Sequence, residues 1–174
     1  MKLRKLEESD AKFMYEWMTE SDVNNYFRFN PKNVTISSCK EFIVNSYTEK
    51  DQNYAIDING EYAGTISLKN INYEDMNSEY AISLRKKFRG KGYGFLASIE
   101  LLKIAFDELK LNKVYLNVLS TNDVANNMYV KIGFEYEGEL KEHININGEY
   151  KSLKLYGMLR SSYEKKYKNN WFSS

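Results

Sequence analysis

Cysteine and histidine are almost missing from this chain of 174 residues: Cys39 and His143 are single copies. One cysteine cannot form an internal disulfide, and a thiolate-rich zinc or iron–sulfur site is excluded. One histidine excludes a two-histidine metal motif, and no metal is expected. Cys39 lacks a neighbouring base and reads as a small helix residue; His143, on an outer strand, reads as surface. Proline occurs once, at Pro31, and no Ser/Gly-rich linker or internal repeat divides the chain. One domain is expected over 1–162, followed by a basic, aromatic, frayed tail over 163–174. No window approaches the ~18 consecutive apolar residues of a membrane span, and the start MKLRKLEESD lacks an apolar signal core. Charge of one sign is also lacking: 25 Lys+Arg against 24 Asp+Glu leave +1, so the chain as a whole gives no electrostatic reason to bind nucleic acid or membrane. The expectation is a soluble, cytoplasmic protein whose chemistry needs little Cys or His.

What is present is a 43% hydrophobic complement, enough for one sizeable core. Met1–Leu6 alternates like a short strand. Ser9 or Asp10 can cap a helix over Ala11–Met18, on which Phe13, Met14 and Trp17 share a face. Ser38 and Glu41 have capping-box spacing and open a second helix to about Tyr47. Tyr54, Ile56 and Ile58 alternate, Asn59-Gly60 turns the chain, and Glu61–Ile71 returns as a partner strand. Glu79–Leu84 is a third run with β character. The clearest helix is Phe95–Leu109, with a broad apolar surface. Val114–Leu119 reads as a strand and Asn122–Lys131 as a short helix ended by Gly133. Phe134–Ile146 and Glu149–Leu159 are strands joined by Asn147-Gly148. About seven strands and four helices in mixed order make an α+β domain with a mixed sheet.

The segment with chemistry in it is strand, glycine loop, helix: Glu79–Leu84, Arg89-Gly90-Lys91-Gly92-Tyr93-Gly94, Phe95–Leu109. A helix start offers unpaired N–H groups and partial positive charge. Glycines allow positive φ and close approach of a ligand to backbone. Together they suit a phosphate, and better a diphosphate that spans several amides. Arg85, Lys86, Lys87, Arg89 and Lys91 add five basic side chains in seven residues. The P-loop pattern fails because Gly92 follows Lys91 where Ser or Thr is needed. The dinucleotide fingerprint is matched only in part: Phe95 takes the place of its third glycine, and no acidic residue ends a following strand. A solvated basic turn is the plain alternative, and an RNA-binding face over Arg85–Lys91 is another.

The second half adds Asn122-Asp123-Val124-Ala125-Asn126-Asn127-Met128-Tyr129-Val130-Lys131-Ile132-Gly133-Phe134, of the form N-x-x-A-x-x-x-Y-x-K-x-G-F. Arg89–Gly94 has the form R-x-x-G-x-G. This ordered pair, about 30 residues apart with a helix and a strand between, resembles the two signature motifs of the GNAT superfamily of acetyl-CoA-dependent N-acetyltransferases. The likeness is in the style of the branch with ribosomal-protein N-terminal, spermidine and nucleotide-amino-sugar acetyltransferases. It covers Glu79–Gly138 well; the first 50 residues match only in element order.

The resemblance implies a single GNAT-like domain whose sheet splays between its fourth and fifth strands, and acetyl-CoA as acyl donor. It implies that Arg89, Gly90, Lys91, Gly92, Tyr93 and Gly94 hold the CoA diphosphate. Ile82, Ser83 and Leu84 are to run beside the pantetheine arm, which Asn122 bonds, and Asn126, Asn127 and Lys131 on one short helix are expected to touch the cofactor. Tyr129 matches the tyrosine that serves as general acid, and Glu79 sits where a glutamate base often stands. Homodimers are common in the branch. Chemistry supports direct transfer in a ternary complex. Positioning lowers the barrier without an enzyme nucleophile, and a phenol of pKa about 10 is matched to a thiol of about 8.5–9. Taken without the motif, Tyr129 reads as a core aromatic and Glu79 as a solvated strand residue. For the acceptor, Tyr26 and Arg28 suit an anionic amine such as a nucleotide-linked amino sugar. A polyamine or a protein N-terminus stays open, and so does a non-catalytic acyl-CoA-binding module.

Overall fold

The computed structural model describes residues 1–20 and 31–168. Its sheet is built from β1 (Lys2–Lys5), β2 (Gln52–Ile58), β3 (Glu61–Asn72), β4 (Asn77–Leu84), β5 (Lys113–Leu119), β6 (Glu135–Ile146) and β7 (Glu149–Leu159). The spatial order is β1-β2-β3-β4-β5-β7-β6. Only β4 and β5 run parallel; the other neighbours are antiparallel. The expected α+β domain with a mixed seven-stranded sheet is what forms.

Helices cover both faces, and period-2 alternation of the strands decides which residue meets which helix. On one face α1 (Ala11–Met18) and α2 (Ile36–Val44) pack Met14, Trp17, Cys39 and Ile43 against Ala55 and Tyr62. On the other, α3 (Tyr93–Lys103) and α4 (Asp123–Ile132) pack against Ile56, Ile66, Leu68 and Tyr80. β2 is therefore buried along its whole length. Ala55, between its large apolar residues, is not solvent-facing; it lies under α1 and α2.

Local signals account for most element ends. Asn59 and Gly60, and again Asn147 and Gly148, carry positive φ at the two hairpin turns, as type I′ turns require. Gly133 closes α4 at φ 112°. The capping box of α2 differs from expectation: Thr35 is the N-cap and Ser38 the reciprocating third residue. The long central helix is α-helical only to Lys103 and then widens into a π-turn over Ile104–Glu108.

The tail also departs from expectation. A fifth helix, α5 (Arg160–Tyr167), crosses residue 162, and the segment up to Lys168 is docked rather than frayed. Tyr163 is buried, stacks on Phe106 at 4.8 Å between centroids and donates to Asp107 at 3.0 Å. Arg160 caps carbonyls of Phe106 and Leu111. A basic composition suggested solvation; the aromatic members of the segment instead found the π-turn surface.

Candidate active site

The site begins where β4 and β5 part. Their parallel pairing lasts for Asn77↔Lys113, Ser78↔Val114 and Glu79↔Tyr115, and then stops. From Tyr80 to Leu84 the chain still pairs with β3, but its β5-facing edge has no strand partner. Ile82, Ser83 and Leu84 lie on this open edge, as expected of residues that line an extended ligand by strand addition.

At the wide end of the fork stands the glycine loop. Gly90 and Gly92 have φ of +71° and +80°, and a Cβ on either would meet nothing within 4 Å. The concavity is therefore open, and only glycine holds it without strain. The first capping bond of α3 is Leu96 N–H to the Gly92 carbonyl, so the amides of Tyr93, Gly94 and Phe95 precede it and face out of the helix start. These observations fit a diphosphate. Gly94 has a second role: a Cβ there would lie 3.1 Å from Met128 Sδ and 3.4 Å from Leu84 Cδ1. It lets the start of α3 close on α4 and β4.

The basic cluster is divided by the fold. Arg85 is buried and donates to Glu61 at 2.7 Å, to the Tyr62 carbonyl at 3.0 Å and to Glu16 at 3.0 Å, with its guanidinium over Phe13. It clamps α1 to the β2–β3 hairpin and is not a phosphate ligand. Lys87 pairs with Glu61; the hydrogen bonds of Lys87 and Arg85 hold that carboxyl below its ordinary range. Arg89 donates Nε to the Leu84 carbonyl at 2.8 Å, bracing the loop on the strand end. Among the described residues, Lys86 and Lys91 are the members without a partner. The expected field of five cations at the loop is thus corrected to a smaller one, focused by the helix start.

Tyr129 lies on the α3–α4 face of the fork. Its ring meets Tyr80, the first β4 residue past the parallel pairing, edge-on at 5.7 Å, with Phe134 at 6.0 Å and Tyr156 at 6.3 Å. The residue is 7% exposed, and burial pushes its phenol above the ordinary value. The hydroxyl therefore keeps its proton across the neutral range. It has no hydrogen-bond partner among the described residues, which leaves it free to donate. Tyr80 is fixed behind it by a hydroxyl contact of 2.7 Å to Ser98, whose own hydroxyl donates to the Gly94 carbonyl.

On α4, the Asn122 side chain accepts from the Ala125 amide as an N-cap. Asn126, expected with Asn127 and Lys131 to touch the cofactor, is the buried one. It donates to the Leu119 and Asn122 carbonyls and accepts from Tyr156 at 2.9 Å, tying the splayed end of β5 to α4. Asn127 and Lys131 are exposed, and the Lys131 ammonium lies 5.4 Å over the Phe95 ring beside the loop.

The opposite face of the same fork opens into a cavity of about 410 Å³. Met14, Trp17, Met18 and Phe42 wall it from α1 and α2; Asn53, Thr65, Ser67, Lys69, Ala81 and Ser83 form its floor. The floor residues are cross-strand partners (Asn53↔Ser67, Ser67↔Ala81, Thr65↔Ser83), so they share one face. Ser67 donates to Asn53 at 2.6 Å and Asn53 to the Ser46 carbonyl at 2.8 Å. No carboxylate lines this cavity among the described residues. Sequence reasoning missed it: its lining comes from five elements, and its apolar members read only as core. Glu79 stands on this face too, next to Lys69 in register. Tyr26 and Arg28, the expected acceptor residues, lie outside the described residues.

The family profile described as Acetyltransferase (GNAT) domain matches residues 1–135. The spermidine N(1)-acetyltransferase of Escherichia coli K12 is 28% identical over 152 residues, covering 87% of this chain and 82% of that protein. The enzyme of the same name from Vibrio cholerae is 27% identical over 162 residues, covering 92% and 94%. A crystal structure of spermidine N-acetyltransferase from Vibrio cholerae in complex with CoA and spermine superposes with a TM-score of 0.85 at 27% identity, covering 93% and 96%. The chain belongs to the GNAT acetyltransferase family. It is an acetyl-CoA-dependent N-acetyltransferase.

Proposed function

We propose that this enzyme acetylates a primary amine of an aliphatic polyamine by direct transfer in a ternary complex. The reading rests on the fork: an open β4 edge with the Tyr129 ring packed on one face and the cavity on the other. The glycine loop takes the diphosphate, and the edge of Ile82–Leu84 guides the thioester arm towards Tyr129. Met14, Trp17, Met18 and Phe42 offer apolar walls to a methylene chain. An amine drawn into such walls is desolvated, which favours its neutral, nucleophilic form. Glu79 takes the proton that the ammonium must lose, and Tyr129 gives one to the departing thiolate. Burial penalises a thiolate formed beside Tyr129 as it does a phenolate, so the two acids stay matched.

The similarity to spermidine acetyltransferases over nearly the whole chain supports a polyamine over the nucleotide-linked amino sugar expected from Tyr26 and Arg28. Thiol release from acetyl-CoA, measured with spermidine, spermine, an amino-sugar nucleotide and a peptide N-terminus, tests this. Spermidine or spermine is the expected best acceptor. Tyr129→Phe lowers kcat about 100-fold or more with KM for acetyl-CoA unchanged. Binding of CoA without release with any amine would favour the acyl-CoA-binding module; a better rate with the sugar nucleotide would restore the anionic acceptor.

A further inference from the structure

We infer that Asn70 and Asn117 are positioning residues that aim the Glu79 carboxylate at the acceptor amine while leaving its charge uncompensated. The inference rests on the reading of Glu79 as base. Glu79 is the last residue of β4 paired with β5, the point of the fork. Asn70 Nδ2 on β3 donates to Glu79 Oε2 at 3.1 Å, and Asn117 Nδ2 on β5 donates to Oε1 at 3.3 Å. Three adjacent strands are thus joined through one carboxylate, and the bond from Asn117 crosses the fork beyond the last parallel pair.

Two features set this apart from a casual surface contact. Asn70 has φ +51°, the left-handed region, where the β3–β4 register shifts between Lys69 and Asn72. A bulge of this kind re-aims a side chain, and its backbone is held in place by bonds of Asn70 N–H to Asp51 and Ile71 N–H to the Lys50 carbonyl. Further, Lys69 is the register partner of Glu79, yet no ion pair joins them among the described residues. Both carboxylate oxygens take neutral amides instead. A carboxylate neutralised by Lys69 would be a poor receptor for an ammonium; one oriented by amides keeps its full negative charge. Among the described residues Tyr115, the β5 register partner, is a further titratable group beside it. Its phenol is raised by burial and then by the Glu79 charge. The next cation along β5, Lys113, is paired with Glu137.

The test compares steady-state kinetics and pH profiles of wild type, Glu79→Gln, Asn117→Ala, Asn117→Asp and Asn70→Gly, with spermidine and acetyl-CoA. Asn117 is exposed, so its variants fold. Asn117→Ala should lower kcat about tenfold, leave KM for acetyl-CoA unchanged and leave Tm within a few degrees. Asn117→Asp sets a like charge beside Glu79 and should move the acid limb of kcat/KM for the amine up by about one pH unit. Asn70→Gly, which relaxes the backbone and removes the amide, should lower kcat without lowering Tm. If Glu79→Gln is impaired but the asparagine variants keep wild-type kcat and pH limbs, the positioning role falls and the base reading stands. If Glu79→Gln itself matches wild type, both fall.

Discussion

The two faces of the β4–β5 fork are built from different materials. The α3–α4 face presents main chain: an open strand edge, two glycines at positive φ and the amides of a helix start. The α1–α2 face presents side chains, drawn from five elements between Met14 and Ser83. Backbone recognition demands particular residues at fixed spacing, because only glycine tolerates the geometry. Side-chain recognition demands only that suitable shapes converge, and many sequences meet that demand.

The sharpest way to break the comparison is at the loop. Gly92→Val forces a β-branched residue to φ +80° and fills the cradle. Loss of two charge-assisted backbone bonds at about 1.5 kcal/mol each is about 3 kcal/mol, a weakening of roughly 100-fold for acetyl-CoA. Isothermal titration with CoA measures it; unchanged affinity would remove the diphosphate from this loop. Ala81→Leu on the cavity floor is the counterpart on the other face. It should raise KM for the amine about tenfold and leave KM for acetyl-CoA alone. A rise in both would show that the two faces are not separable.

The smallest effect lies in the frame beneath the cavity. Arg4 joins β1 to Asp10 at 2.7 Å and to Asp57 at 2.9 Å. Burial tends to raise the Asp57 carboxyl, but the bonds from Arg4 and the Gly60 amide outweigh it, and the group sits below its usual range. A carboxyl with a depressed folded value stabilises fully above its unfolded pKa of about 3.9 and loses that contribution as pH falls through the lower, folded value. Urea midpoints should therefore drop below about pH 4, and Asp57→Asn should flatten that part of the curve.

Much of the fold was legible because it is written locally. Alternation located the strands, and Asn59-Gly60 and Asn147-Gly148 located the hairpins. α1 runs over Ala11–Met18 as its apolar face predicts. The α2 cap slipped by three residues because Thr35 and Ser38 satisfy the same reciprocal bonding as a Ser–Glu pair. The docked tail was not legible: Tyr163 and Tyr167 look like any exposed aromatics until Phe106 and the Ile132 carbonyl are brought beside them. Nor did charge counting foresee that Arg85 would be spent on Glu16 and Glu61, residues 69 and 24 positions away.

By itself, the order of residues determined the glycine turn, the helix behind it and the place of Tyr129 four residues before a left-handed glycine. Each depends on backbone angles and near-neighbour bonds that a few adjacent residues settle. Only the tertiary structure decided which arginine is a clamp, what walls the cavity, and that Glu79 stands between two amides at the point where β4 and β5 part. Those outcomes depend on strands meeting across tens of residues, and a register is a property of the pair, never of either strand alone.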